Sequence, residues 1–235
     1  MTGRSAPATL PPSLRVRLGL IAALAASALT VLGVLYADHD EPGMVDRWIT
    51  QPTADSVRPP WRNVALALDF WGEPAGAALL VVAAVAGCLL LRRPRAAVLV
   101  VAGVGMTVGT ATLLKHLVGR TIHGDNLSYP SGHTAFLTAL ALVAALLATG
   151  RLGLGSTGGT SLVLAAALVA GAAMGWAQVA LGAHYPTDVL GGWCTALAVI
   201  PATAWLVDRM ADRLVDRMAD RLVDRMAAAG RRERR

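Results

Sequence analysis

The sequence predicts an all-α, polytopic membrane protein with six transmembrane helices and a C-terminal amphipathic helical extension. Of its 235 residues, 55% are hydrophobic and only 15% charged, an apolar content above the globular average. The apolar residues fall in long runs separated by short polar connectors. A bilayer core requires about 20 apolar residues per helical span, and six runs qualify: 18–37, 64–91, 96–118, 132–149, 160–182 and 188–207. The chain thus divides into an N-terminal segment (1–17), a six-helix membrane domain (18–207) and a tail (208–235).

The first run could be read as a signal peptide, but Val34, Leu35, Tyr36 and Ala37 lack a small-x-small cleavage site and the apolar stretch is long, so an uncleaved helix is favoured. Residues 38–63 are expected as a polar outer loop broken by Pro42, Pro52, Pro59 and Pro60, with Trp48 and Trp61 suited to the headgroup level. Arg4, Arg15 and Arg17 precede the first span, Arg92, Arg93 and Arg95 separate the second from the third, and Arg151 follows the fourth. Positive-inside bias places these residues, and both termini, in the cytoplasm of a multi-pass protein of the cell membrane. The segments carrying Lys115 to His133 and His184 to Asp188 then open on the outer face.

The connector from Gly150 to Gly159 is glycine-rich, but it lacks the spacing and preceding strand of a nucleotide cradle. Cys88 and Cys194 lie inside apolar runs, where a thiol behaves as a small hydrophobe, and imply neither a disulfide framework nor a metal pair. The formal charge of +6 suits anionic lipid headgroups rather than nucleic acid. Beyond residue 207 the Asp-Arg pairs recur every four residues from Asp208 to Arg225. That period winds an apolar stripe slowly around a helix, fitting a surface-lying extension or one that pairs with a second copy as a homo-oligomer. Gly230 is expected to end it before Arg231, Arg232, Arg234 and Arg235.

Chemistry concentrates in three places. Pro130, Ser131, Gly132 and His133 form a tight entry into the fourth span, and amides at a helix N-terminus favour anions. Between the fifth and sixth spans, His184 and Asp188 are four residues apart, a spacing that sets both on one helix face. An aspartate there fixes the tautomer of the histidine and frees its other nitrogen as nucleophile or base. At the end of the third span, Lys115 supplies a point charge and Arg120 a planar fork for a phosphate. Phosphoryl transfer mainly needs such positioning and charge.

These residues make the chain resemble the phosphatidic acid phosphatase type 2 family, the integral-membrane lipid phosphate phosphatases. That family carries Lys, six residues, Arg-Pro; then Pro-Ser-Gly-His; then Ser-Arg, five residues, His, three residues, Asp. The second block is complete at Pro130 to His133 and the third retains His184 and Asp188. The resemblance implies that His184 attacks phosphorus to form a phosphohistidine, Asp188 orients it and His133 protonates the leaving oxygen. It also implies that Lys115, Arg120, Ser131, Gly132, Gln178 and His123 surround the phosphate of a lipid substrate, with no metal and no cofactor.

The sequence departs from the pattern at Ile122 and His123, where the family has Arg-Pro, and at Ala177 and Gln178, where it has Ser-Arg. Two other readings therefore stand beside a phosphatase: a catalytically weakened lipid-phosphate binder, and a transferase passing the phosphoryl or phospho-headgroup to an alcohol. Asp69 and Glu73 are read as interfacial residues near the entrance, His116 and His39 as bystanders, and Trp176, Trp193 and Trp205 as packing or belt residues.

Overall fold

The computed structural model describes residues 7–233, without the side chains of 54–56, 219 and 222–233. Arg4 and the side chains of the terminal arginines Arg231, Arg232, Arg234 and Arg235 lie outside the described residues. Eight α-helices follow in order: α1 (Arg15–Leu35), α2 (Met44–Ser56), α3 (Trp61–Phe70), α4 (Pro74–Leu90), α5 (Pro94–Val118), α6 (Gly132–Leu152), α7 (Ser156–Ala180) and α8 (Pro186–Glu233). Between α5 and α6 a two-residue hairpin pairs β1 (Thr121–Ile122) antiparallel to β2 (Asn126–Leu127). The protein has the all-α fold of a polytopic membrane protein, with five helices long and apolar enough to cross a bilayer, or six when the bent pair α3 and α4 counts as one span.

The second predicted span is therefore not one straight helix. It breaks at Trp71 to Glu73 with a bend of 63°. Gly72 and Pro74 are the local cause, since proline at the first position of a helix starts a new one rather than continuing the old. The segment expected as an outer loop differs too, because residues 44–56 form a helix. Its start is held by Asp46, whose Oδ2 accepts the Gly43 amide at 3.1 Å, as an acidic side chain in a first turn does.

Helix α8 is the centre of the bundle, packed on α1, α5, α6 and α7. One continuous core runs through these helices, from Leu14 and Leu18 through Leu99, Val100, Leu142 and Val163 to Leu197 and Ile200. Large side chains facing outward, such as Leu20, Leu24, Val82, Leu113 and Val169, make the lipid-facing surface. Small residues permit the closest crossings. A Cβ on Gly192 of α8 would strike the carbonyl of Ser131, so glycine there lets the N-terminal turns of α6 and α8 touch.

Helix α8 continues unbroken through residue 208 and through Gly230 to Glu233. A single glycine in a helix costs about 1 kcal/mol relative to alanine but does not by itself end it. Asp208 is not a tail residue in its contacts, for it is 2% exposed and accepts the amides of Thr9 and Leu10 at 2.8 and 2.9 Å. Met210, Leu214, Val215 and Met218 form the described part of the exposed apolar stripe. At this same end, Arg17 reaches Thr157 and Arg95 reaches Asp208 and Asp212, so the arginine-rich connectors gather opposite the histidines.

Candidate active site

The site is assembled from the ends of six helices, α3 to α8. Helix α7 closes at Gly182, in the left-handed region at φ +72°, with the amide of Ala183 returning to the carbonyl of Gln178 at 2.9 Å. The chain then delivers His184 two residues before Pro186 opens α8. Asp188, in the first turn of α8, accepts the Tyr185 amide on Oδ2 at 2.9 Å, the reach-back bond of a capping box. Its other oxygen, Oδ1, receives Arg120 Nη1 at 2.7 Å. With both oxygens anchored, Asp188 stands 3.7 Å from His184 Nδ1. That is an electrostatic contact rather than a hydrogen bond, and Nδ1 is buried without a hydrogen-bond partner.

The Pro130 to His133 block is joined to this turn by one backbone bond, from the Ser131 amide to the Asp188 carbonyl at 2.9 Å. Ser131 is fully buried and caps α6 through Thr134 at 3.4 Å. Its amide is thereby engaged, while Gly132 and His133 stand in the first turn of α6, where amides lack intrahelical acceptors and favour negative charge. His133 projects toward the break between α3 and α4, its Nε2 3.5 Å from Asp69 and 3.6 Å from Glu73. Gly72 in the break lies against the imidazole, and any Cβ there would overlap the ring.

Lys115, at the end of α5, is half-buried and donates to the Leu127 carbonyl at 2.9 Å. Together with His133 it lies close enough to His184 to act on its charge. Burial pushes the His184 imidazole below its usual pKa; Asp188 opposes that shift, and the positive charges of Lys115 and His133 reinforce it. A neutral ring is what a nucleophile requires.

Three expected phosphate contacts fall elsewhere. Arg120 has no exposed surface, and its two terminal nitrogens are taken by Asp188, Thr187 and Asp46 at 2.7, 2.6 and 2.7 Å. Tyr36 and Tyr185 cover its guanidinium at 4.1 and 4.6 Å from their ring centres. The fork is a buried counter-ion to two carboxylates. Gln178, 1% exposed, donates to Asp69 Oδ1 at 2.6 Å and so braces α7 against α3. His123 sits in the hairpin with φ +51°, its ring bonded to the Gly182 carbonyl at 2.9 Å, where it supports the loop that carries His184.

Asp46, Asp69 and Glu73 are the site residues that sequence reasoning missed or set aside. Asp69, Glu73 and His133 present ligand atoms within 4.8 Å of one another, the grouping with metal-ligand spacing among the described residues. Helix α3 also seals the end of α7, where Ala65 packs on Ala177 and Ala180, and Trp61 meets Trp176 edge to face at 6.4 Å.

No curated protein matches the sequence. Among solved structures, the chain is similar to a transmembrane PAP2-type phosphatidylglycerolphosphate phosphatase from Bacillus subtilis, with a TM-score of 0.64 and 21% identity, covering 82% of this chain and 96% of that one. At that identity the likeness speaks to the fold. The family profile of the PAP2 superfamily matches residues 16–211, most of the chain, and the protein therefore belongs to the PAP2 superfamily.

Proposed function

We propose that the protein is a membrane lipid phosphate or diphosphate phosphatase that works through a phosphohistidine on His184. Membership of the superfamily and the likeness to a membrane lipid phosphate phosphatase support phosphatase activity. The observation that carries the finer reading is the gathering of His184, Asp188, His133 and Lys115 at one end of the bundle, with Lys115 and His133 in electrostatic reach of His184.

In this reading, Nε2 of neutral His184 attacks phosphorus while Nδ1 keeps its proton facing Asp188. The bond from phosphorus to the lipid oxygen breaks, and His133 delivers a proton to that oxygen. Water, deprotonated by His133, then attacks the phosphohistidine, releasing inorganic phosphate and restoring His184. Lys115 and the Gly132 and His133 amides hold the phosphate oxygens as charge develops. Arginines gathered at the opposite end, Arg15, Arg17, Arg92, Arg93, Arg95 and Arg151, support an active site on the outer face.

The test is phosphate release from a panel of lipid phosphates and diphosphates by the purified protein in detergent, with acid-labile phosphoprotein trapped by rapid quenching. Release by wild type and its loss in His184→Ala are expected. No release from any substrate, or full activity in His184→Ala, removes the reading. One observation favours a weaker phosphate binder instead. Asp69 and Glu73 flank His133, so an incoming phosphate there meets two carboxylates.

A further inference from the structure

We propose that Asp46, on the loop helix α2, is a positioning residue of this reaction: through Arg120 and Thr187 it fixes the Asp188 carboxylate and hence the ring of His184. The inference rests on the phosphatase reading above but concerns a side chain that never meets the substrate.

The contacts are continuous and wholly buried. Asp46 is 0% exposed. Its Oδ2 receives Arg120 Nη2 at 2.7 Å, and its Oδ1 receives the Thr187 amide at 3.0 Å and the Thr187 hydroxyl at 2.8 Å. The same hydroxyl accepts Arg120 Nη1 at 2.6 Å, and that nitrogen also donates to Asp188 Oδ1 at 2.7 Å. Two carboxylates thus grip opposite sides of one planar fork, and Thr187 links the first carboxylate to the turn that carries the second. A fork held on both sides has one orientation, which fixes where Asp188 points.

A simple latch for α2 would need only Asp46 and a cation. It does not account for the other half of that cation being bound to the carboxylate behind the proposed nucleophile. Charge makes the same point. Asp46, Arg120 and Asp188 together carry −1 when each is ionised; without Asp46 the remaining pair is neutral. The groups facing His184 are Asp188 from α8, Lys115 from α5 and His133 from α6. Those facing Arg120 are Asp46, Asp188, Thr187, Tyr36 and Tyr185. Asp69 and Glu73 act one step away, on His133. Removing Asp46 therefore leaves the whole Arg120 charge to Asp188, which weakens the carboxylate's pull on His184, and a protonated ring is less favoured.

The experiment uses the full-length protein in detergent with a lipid phosphate that wild type hydrolyses. Asp46→Asn keeps the shape and removes the charge. Its kcat is expected to fall about 10- to 100-fold, as for loss of one charge-assisted hydrogen bond, with KM within about 3-fold. The ascending limb of kcat/KM against pH is expected to move to lower pH. Thr187→Val keeps every charge but removes the hydroxyl link. There kcat should fall about 3- to 10-fold with the limb in place.

Wild-type kcat and an unmoved limb in Asp46→Asn overturn the proposal, whatever happens to its melting temperature. If Asp46→Asn cannot be recovered folded, Thr187→Val decides, and wild-type kcat there overturns it equally. A wild type without turnover removes the phosphatase reading and this inference together, whereas an active wild type beside an Asp46→Asn with the same kcat and the same limb removes this inference alone.

Discussion

Gln178 donates a 2.6 Å hydrogen bond to Asp69, joining α7 to the last turn of α3 beside His133. Gln178 stands where the family pattern has an arginine, so the obvious repair is Gln178→Arg. A guanidinium placed there meets the Asp69 carboxylate before it meets a phosphate. The single variant is therefore expected to change KM for a lipid phosphate by less than about 3-fold, because an ion pair forms within the protein. Gln178→Arg combined with Asp69→Asn frees that charge and should lower KM about 10-fold. Steady-state kinetics of the two variants check this. A 10-fold gain from the single substitution would show that Asp69 does not neutralise the new cation.

In the proposed mechanism the His184 ring must be uncharged to attack, and its burial holds its pKa below the usual imidazole range. The ascending limb of kcat/KM against pH is accordingly expected below the value of a free histidine. Lys115 contributes to that depression. Replacing it by methionine removes a positive charge, which favours the protonated ring, so the limb should move to higher pH while KM rises. A pH profile of Lys115→Met measures both effects. A limb that stays in place would remove Lys115 from the electrostatics of His184.

Gly72 has no positive φ and ends no helix with a left-handed turn, yet a methyl group there would occupy the space of the His133 imidazole. Gly72→Ala should displace the ring from its present position without touching the core of the bundle. We expect kcat to fall about 10- to 100-fold, the range lost when a general acid is misplaced, with little change in thermal stability. Kinetics and a melting curve of the same preparation distinguish this from misfolding. Unchanged turnover would mean that the ring relocates without consequence.

The bundle was legible in the sequence because spanning a bilayer imposes a length and composition that each helix carries by itself. The histidine blocks were legible because their partners are near in sequence: Ser131 caps the helix that carries His133, and Asp188 is one turn from His184. The buried partners of Arg120 were not legible, for the opposite reason. A cation beside a predicted anion site reads as a ligand, but its partners come from residues 36, 46, 185, 187 and 188, and only tertiary structure brings the distant ones together. The same holds for α2. Prolines suggested a loop, although Asp46 three residues after Gly43 was already a helix-start signal. The bend in the second span was signalled by Gly72 and Pro74, which the strength of the apolar run concealed.

At the far end of the bundle, Asp208 holds the N-terminal segment to α8. Its Oδ1 accepts the Thr9 amide at 2.8 Å and the Thr9 hydroxyl at 3.0 Å, its Oδ2 accepts the Leu10 amide at 2.9 Å, and Arg95 Nη1 lies 3.7 Å away. Asp208→Ala would leave two buried amides without acceptors and Arg95 with only the exposed Asp212 at 2.8 Å. Loss of one partner from such a buried set costs about 2–4 kcal/mol. A drop of several degrees in the melting temperature in detergent is expected, with Asp208→Asn falling between wild type and alanine. Turnover per folded molecule should stay at the wild-type level, because the histidines lie at the other end of the helices. A fall in kcat with unchanged melting would instead show that the two ends of α8 are coupled.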